Sequence, residues 1–164
     1  MGRPGGTGGT GGTGGTGGHG WHGDEESSPE ALDALDQDLA WLRAQGVEAI
    51  LSLTETPLPV GAAERHSMAE LHLPVDDLTA PSPRQFEHAL AFLDEQLARG
   101  RAVAVHCLVG QGRTGTVLAA YLIRAGATPE EAIARLRTLS PGAISSREQV
   151  DALHAFARRR DWIV

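Results

Sequence analysis

Apolar positions recur three and four residues apart after Ser28. Leu32, Leu35, Leu39 and Leu42 share one face of a helix that Ser28 caps, Pro29 opens and Gly46 stops. The pattern then shortens. Val47 to Leu53 is a brief, mostly apolar run bounded by Gly46 and a proline-containing loop, Thr54 to Gly61, and reads as a strand. Leu71 to Val75 predicts a second short strand. Ser82-Pro83 repeats the helix-start signal, with Phe86, Leu90, Leu93 and Leu97 on one face and Gly100 at the end. Ala102 to Val105 is strand-like, and the run from Val117 to Ile123 is long enough for a buried helix. Thr128-Pro129 opens another helix carrying Ile133 and Leu136. Ser145 with Glu148 reads as the capping box of a last helix, with Val150, Leu153 and Phe156 inward. Strands alternating with helices predict an α/β fold: a mostly parallel central sheet with helices on both faces.

The chain has 164 residues, enough for one domain with a sizeable core and too few for two. Residues 5–18 repeat Gly-Gly-Thr without an apolar residue, so they bury too little surface to offset chain entropy. Residues 1–27 therefore read as a flexible Gly/Thr-rich tail and acidic linker, and residues 28–164 as the folded domain. His19 and His22 are read as incidental tail residues rather than metal ligands. Arg158-Arg159-Arg160 reads as a solvated helix end that complements the helix dipole.

A formal net charge of −7 argues against nucleic-acid or anionic-membrane partners. No run approaches the ~20 apolar residues of a membrane-spanning helix, and no secretory h-region is seen. One cysteine excludes internal disulfides and thiolate-cluster metal sites. A free thiol points to the cytoplasm.

That cysteine lies in the most informative segment, His106-Cys107-Leu108-Val109-Gly110-Gln111-Gly112-Arg113-Thr114-Gly115. A strand leads in and a helix leads out, so backbone N–H groups gather at a helix N-terminus, where the dipole also favours an anion. Gly110 and Gly112 let the chain curl closely around such a group. Helix N-termini and nearby cations lower a cysteine pKa from ~8.5 to roughly 3.5–7.5. Arg113 supplies a planar, bidentate fork. A nucleophile, an anion cradle and a clamp are the parts of a cysteine-dependent phosphatase.

His106-Cys107, five residues and Arg113-Thr114-Gly115 resemble the signature loop of the protein-tyrosine phosphatase superfamily. The flanks narrow the resemblance to the small atypical dual-specificity phosphatases and their bacterial relatives. They are Gly46-Val47 through Ile50-Leu51-Ser52-Leu53-Thr54-Glu55, Leu73-Pro74 through Asp77 and Pro81, and Pro141-Gly142 through Gln149. The likeness covers about residues 36–158. It implies Cys107 as nucleophile, Arg113 as phosphoryl clamp, and Leu108 to Gly112 with Arg113 as the phosphate-binding loop. It implies that His106 hydrogen-bonds neighbouring backbone and helps set the thiolate, although a core histidine would look the same. Thr114 either donates to the sulfur or merely caps the helix. In relatives the general acid is followed by an apolar residue and has a proline four positions on. Asp77 with Pro81 fits, and Asp76 shapes the turn or faces solvent. Gln149 matches a glutamine that some members use to position attacking water; otherwise it is an exposed helix residue. The acid often found just before it is replaced by Ser145 and Ser146. Relatives also begin with an extra strand that has no recognisable counterpart here.

The resemblance implies hydrolysis of phosphotyrosine, and of phosphoserine or phosphothreonine, in a protein or peptide substrate, without metal or cofactor. The oligomeric state is left open. Phosphoinositide or RNA 5′-phosphate hydrolysis and a non-catalytic phospho-residue-binding module are the rivals. The uncharged residues between Cys107 and Arg113 favour a monophosphate, since phosphoinositide enzymes tend to place Lys there.

Overall fold

The structure, a computed structural model, describes residues 28–160. The expected tail, with His19 and His22, lies outside the described residues, as does the segment after Arg160. The elements in order are α1 (Pro29–Ala44), β1 (Val47–Ser52), α2 (Ala62–Arg65), β2 (Ala69–His72), α3 (Pro83–Ala98), β3 (Ala102–His106), α4 (Gly112–Arg124), α5 (Pro129–Leu139) and α6 (Arg147–Arg160).

Among the described residues the sheet has three strands in the order β2-β1-β3, and both pairings are parallel. Ile50 lies opposite Ala104, and Ser52 opposite His106. Parallel pairing sends all three carboxyl ends to one edge, and the loops after Ser52, His72 and His106 leave the sheet there. Alternation along β1 divides the core. Leu51 packs with Phe86, Leu90, Val117, Ile123, Ile133 and Leu153 from the later helices. Ile50 faces Leu35, Leu39, Ala62, Ala63 and Met68 on the other side. Helices therefore cover both faces, as the alternating pattern predicts. The extra strand of relatives has no counterpart among the described residues, where β2 and β3 are the two edge strands.

The helix starts follow the expected chemistry, with one shift. Ser28 accepts from Ala31 N at 3.1 Å, and Ser82–Gln85 and Thr128–Glu131 form complete capping boxes with proline at the first helical turn. The last helix is different. Ser146, not Ser145, accepts from Gln149 N at 3.2 Å, and Gln149 Oε1 accepts from Ser146 N at 3.3 Å. The sequence offers this box in two registers one residue apart. Burial selects between them, because Gln149 is fully enclosed whereas Ser145 and Glu148 are exposed.

Other differences are small. β2 starts two residues earlier than expected and stops before Pro74. Leu73 N and Val75 N still donate to Ser52 O and Leu53 O, at 2.9 and 3.3 Å, so this segment stays tied to β1 without a regular ladder. Leu97 is exposed on α3, and Gln96 is buried in its stead, accepting from Arg101 Nη1 at 3.1 Å. Leu32, on the first turn of α1, is also exposed. Among the described residues no helix is long and apolar enough to cross a membrane.

Candidate active site

The chain leaves β3 at His106, turns over residues 107–111 and enters α4 at Gly112. Gly110 makes the turn with φ +73°, in the left-handed region that other residues enter only with strain. Gly112 is constrained by space instead. A Cβ there would lie 2.6 Å from Ser145 Oγ and 3.0 Å from Gln149 Nε2, so the start of α4 packs directly on the entry to α6. Val109, Gly110 and Gln111 are exposed along the loop, and Leu108 is half-buried.

Cys107 is buried at the base of this loop, and the Thr114 hydroxyl donates to its sulfur at 3.2 Å. Burial pushes the thiol up. The Thr114 hydroxyl, the backbone at Thr114 and Gly110 and the charge of Arg113 all favour the thiolate, and the net direction is down. The pH midpoint for inactivation by iodoacetate should therefore fall below the ordinary thiol range. Thr114→Val should raise that midpoint, because one donor to the ionised sulfur is lost. Thr114 lies within α4, whose N-cap position is Gln111, so it does not cap the helix, and an unchanged midpoint would leave its hydroxyl no part in ionising the sulfur.

Arg113 is almost fully enclosed, at 1% exposure, so its orientation is set by its partners. Nη1 donates to Glu55 Oε2 at 2.8 Å, Val75 O at 2.7 Å and Leu53 O at 3.4 Å. Nη2 stands 3.2 Å from Asp77 Oδ1. The Arg113 guanidinium in turn holds the Glu55 carboxyl below the usual range. The other oxygen of Glu55, Oε1, accepts from Asp77 N at 2.9 Å. One carboxylate thus ties the arginine to the loop that carries Asp77.

That loop distinguishes the two neighbouring aspartates. Asp77 projects toward Arg113, whereas Asp76 contributes its carbonyl, accepting from Thr79 N and Thr79 Oγ1 at 3.2 and 2.8 Å. The turn passes through Leu78 at φ +61°. His106 pairs through Nε2 with Ser52 Oγ at 2.7 Å, and burial pushes its ring below the usual imidazole range against an upward pull from the Cys107 backbone. It thereby pins the end of β3 to β1, immediately before Cys107.

Gln149 is not an exposed helix residue. Its Nε2 donates to Thr79 O at 2.9 Å while its Oε1 receives the Ser146 N–H, so both ends of the amide are engaged. The structure therefore gathers Asp77, His106, Cys107, Arg113, Thr114 and Gln149 around one loop. It also adds Glu55 and Glu148. Glu55 had a sequence signal: an acidic residue just past the carboxyl end of a parallel strand, where α/β sheets bind ligands. Glu148 had none beyond its place in the misregistered capping box.

An open groove of about 930 Å³ runs away from Glu55, Asp77 and Leu108, past His106, and is walled by Leu35, Leu39 and Leu58. A second groove, of about 950 Å³, lies around Phe86 and Phe156 and shares no residue with the 107–113 loop.

A buried thiol and an enclosed guanidinium at a strand-to-helix turn, faced by an aspartate loop, define the class: the protein-tyrosine and dual-specificity phosphatases. The chain belongs to the family described as "Polymorphic toxin system, DSP-PTPase phosphatase", whose model matches residues 26–127, a span containing Asp77, Cys107 and Arg113. It is similar to the phosphatidylglycerophosphate phosphatase PTPMT2 of Arabidopsis thaliana, 29% identical over 127 residues, which are 74% of this chain and 56% of that protein. It is similar to protein tyrosine phosphatase type IVA 3 of Homo sapiens, 29% identical over 109 residues, 65% of this chain and 63% of that one. The chain thus spans 56% and 63% of the length of these curated relatives. Among solved structures it is similar to Tk-PTP in its active form, with 32% identity and a TM-score of 0.71 over 76% of this chain and 86% of that chain.

Proposed function

We propose that the chain is a metal-independent phosphatase of tyrosine or dual specificity that works through a cysteinyl-phosphate, with residues 28–164 as its catalytic domain. The observation that carries this reading is the Cys107 sulfur, buried at the base of a strand-to-helix loop, accepting from the Thr114 hydroxyl at 3.2 Å, with the enclosed Arg113 closing the same loop.

The Cys107 thiolate attacks phosphorus. The S–P bond forms, the bond from phosphorus to the leaving oxygen breaks, and Asp77 gives that oxygen its proton. The Arg113 fork and the backbone of residues 108–112 meet the charge on the equatorial oxygens. Water then attacks phosphorus and gives a proton to Asp77. The S–P bond breaks, and Cys107 departs as a thiolate stabilised by the Thr114 hydroxyl. Glu55 sets Arg113, and His106 fixes the strand end that presents Cys107. A free, low-pKa thiolate fits a reducing compartment, and we assign the protein to the cytoplasm.

The uncharged loop Leu108-Val109-Gly110-Gln111-Gly112 supports a monophosphate substrate, and we infer a phosphoprotein. A lipid phosphomonoester is the second reading. The leucine-lined groove beside Asp77 and Leu108 supports it, because that groove would receive an apolar body attached to the phosphate. PTPMT2 is a phosphatidylglycerophosphate phosphatase by name.

Turnover in EDTA of p-nitrophenyl phosphate, phosphopeptides and phosphatidylglycerophosphate in mixed micelles tests both readings. The expected order of kcat/KM is phosphotyrosine peptide above phosphoserine peptide above lipid. Lipid ranking first would establish the second reading. Phosphopeptide binding without turnover of any substrate would make the domain a phospho-residue-binding module.

A further inference from the structure

We propose that Glu148 and Gln149, in the first turn of α6, are positioning residues that hold the Asp77 loop over Cys107. The proposal rests on Asp77 being the proton donor.

The loop from Asp76 to Ala80 lies beyond the last rung of the sheet. Asp77 and Leu78 are exposed, and Leu78 holds a left-handed conformation that costs free energy for a residue with a side chain. Such a loop keeps one shape only if other elements over-determine it. Glu55 and Arg113 grip it at Asp77. The second grip falls two and three residues later, at Thr79 and Ala80. Gln149 Nε2 donates to Thr79 O at 2.9 Å, and Glu148 Oε1 accepts from Ala80 N at 3.2 Å. These are the two ends of a single peptide group. Adjacent side chains of α6 thus clamp one peptide plane from both sides, which fixes its rotation as well as its position.

Gln149 is suited to holding this backbone and poorly suited to swinging toward a water. It is fully buried, and the Ser146 N–H fixes its oxygen so that its nitrogen points at Thr79. It also touches the phosphate loop: its Nε2 lies 3.0 Å from where a Cβ on Gly112 would sit. One side chain therefore sets the spacing between the loop that cradles phosphate and the loop that carries the acid. A displacement of about 1 Å is enough to cost on the order of a hundredfold in rate when two groups must meet.

The test compares kcat/KM for phenyl phosphate, whose leaving group needs a proton, with p-nitrophenyl phosphate, whose leaving group needs one far less. This constant covers steps only as far as departure of the leaving group, so it does not report water attack on the phosphoenzyme. Glu148→Ala and Gln149→Ala should lower the phenyl phosphate value roughly tenfold or more, with a much smaller loss on p-nitrophenyl phosphate. Glu148→Gln should restore it, because the amide oxygen accepts the same Ala80 N–H. Adding Glu148→Ala to Asp77→Asn should cost nothing further, since the clamp acts through the acid.

Equal losses on both substrates, a loss that persists beside Asp77→Asn, or a fall in kcat alone with a burst of phosphoenzyme would overturn the proposal. The last result would make Gln149 a water-positioning residue. Glu148 is on the surface, so its variants remain informative even if Gln149→Ala fails to fold. If Asp77→Asn itself has no effect on phenyl phosphate, the assignment of the acid has failed, and that result is read separately from the clamp.

Discussion

Cys107→Ser should turn over no substrate yet still bind inorganic phosphate. The reason lies in how the site divides its work. Binding comes from the loop backbone and from Arg113, which is oriented by Glu55, Leu53 O and Val75 O, and none of these contacts involves the sulfur. Nucleophilicity resides in the sulfur alone. The hydroxyl and loop backbone that lower its pKa cannot ionise an alcohol near neutral pH, so serine remains a protonated, weak nucleophile. The expected loss is therefore down to the detection limit, with phosphate affinity by calorimetry close to wild type. Activity near wild type in this variant would sink the covalent mechanism. Arg113→Lys should also lose most activity, but by another route. A point charge cannot reproduce the planar fork, and it would leave some of the Leu53 and Val75 carbonyls without their donor. Phosphate affinity should fall along with rate there, which separates the two variants.

Why the sequence makes the 107–113 loop so legible is a matter of local geometry. A strand-to-helix turn requires glycine where φ turns positive, and a cradle needs nucleophile and clamp at fixed spacing, so Gly110, Cys107 and Arg113 announce themselves together. The helix starts at Ser28, Ser82 and Thr128 are legible for the same reason: capping is decided within four residues. The misregistered box at the start of α6 shows the limit of such local logic. Ser145–Glu148 and Ser146–Gln149 satisfy one rule equally, and only packing against Gly112 and the Asp77 loop, segments 37 and 70 residues away, chooses between them.

The roles of Glu55 and Glu148 are not legible in the sequence because their partners are remote. Glu55 reaches Arg113 and the Asp77 backbone across separations of 58 and 22 residues, and Glu148 reaches Ala80 across 68. No period or spacing encodes such pairings. The pairings of Glu55 follow from the parallel sheet, which brings three loops to one edge, and that of Glu148 from the packing of the α6 start against Gly112. Gln149 presents the same difficulty in reverse. A glutamine on an otherwise polar helix turn looks solvated until the fold shows it enclosed, with both ends of its amide engaged. Leu97 and Gln96 complete the lesson on α3. Helical periodicity placed the leucine inward, but Arg101 supplies a partner that lets the glutamine take the buried position.

Asp77→Asn should slow phenyl phosphate and phosphotyrosine peptide turnover by roughly 10²–10⁴-fold, the usual contribution of a positioned acid. Asparagine keeps the shape of the side chain and an oxygen that can still accept from Arg113, and the remaining contacts that hold the loop are made by other atoms. Asp77 N still donates to Glu55, and the Thr79–Ala80 peptide is still gripped by Glu148 and Gln149. Lost activity would therefore report lost proton donation rather than a displaced loop. Two signatures should accompany it. The deficit should shrink for p-nitrophenyl phosphate, whose leaving group departs as a stable phenolate. The low-pH limb of kcat/KM should survive, since it belongs to Cys107, where burial pushes up but Thr114, the loop backbone and Arg113 bring the net pKa down. Asp76→Asn should leave turnover of both substrates in place, because Asp76 serves the turn through its carbonyl, which the substitution retains. If Asp76→Asn gives the leaving-group-dependent loss and Asp77→Asn does not, the acid sits one residue earlier, and the pairing of Asp77 with Arg113 at 3.2 Å is a structural contact only.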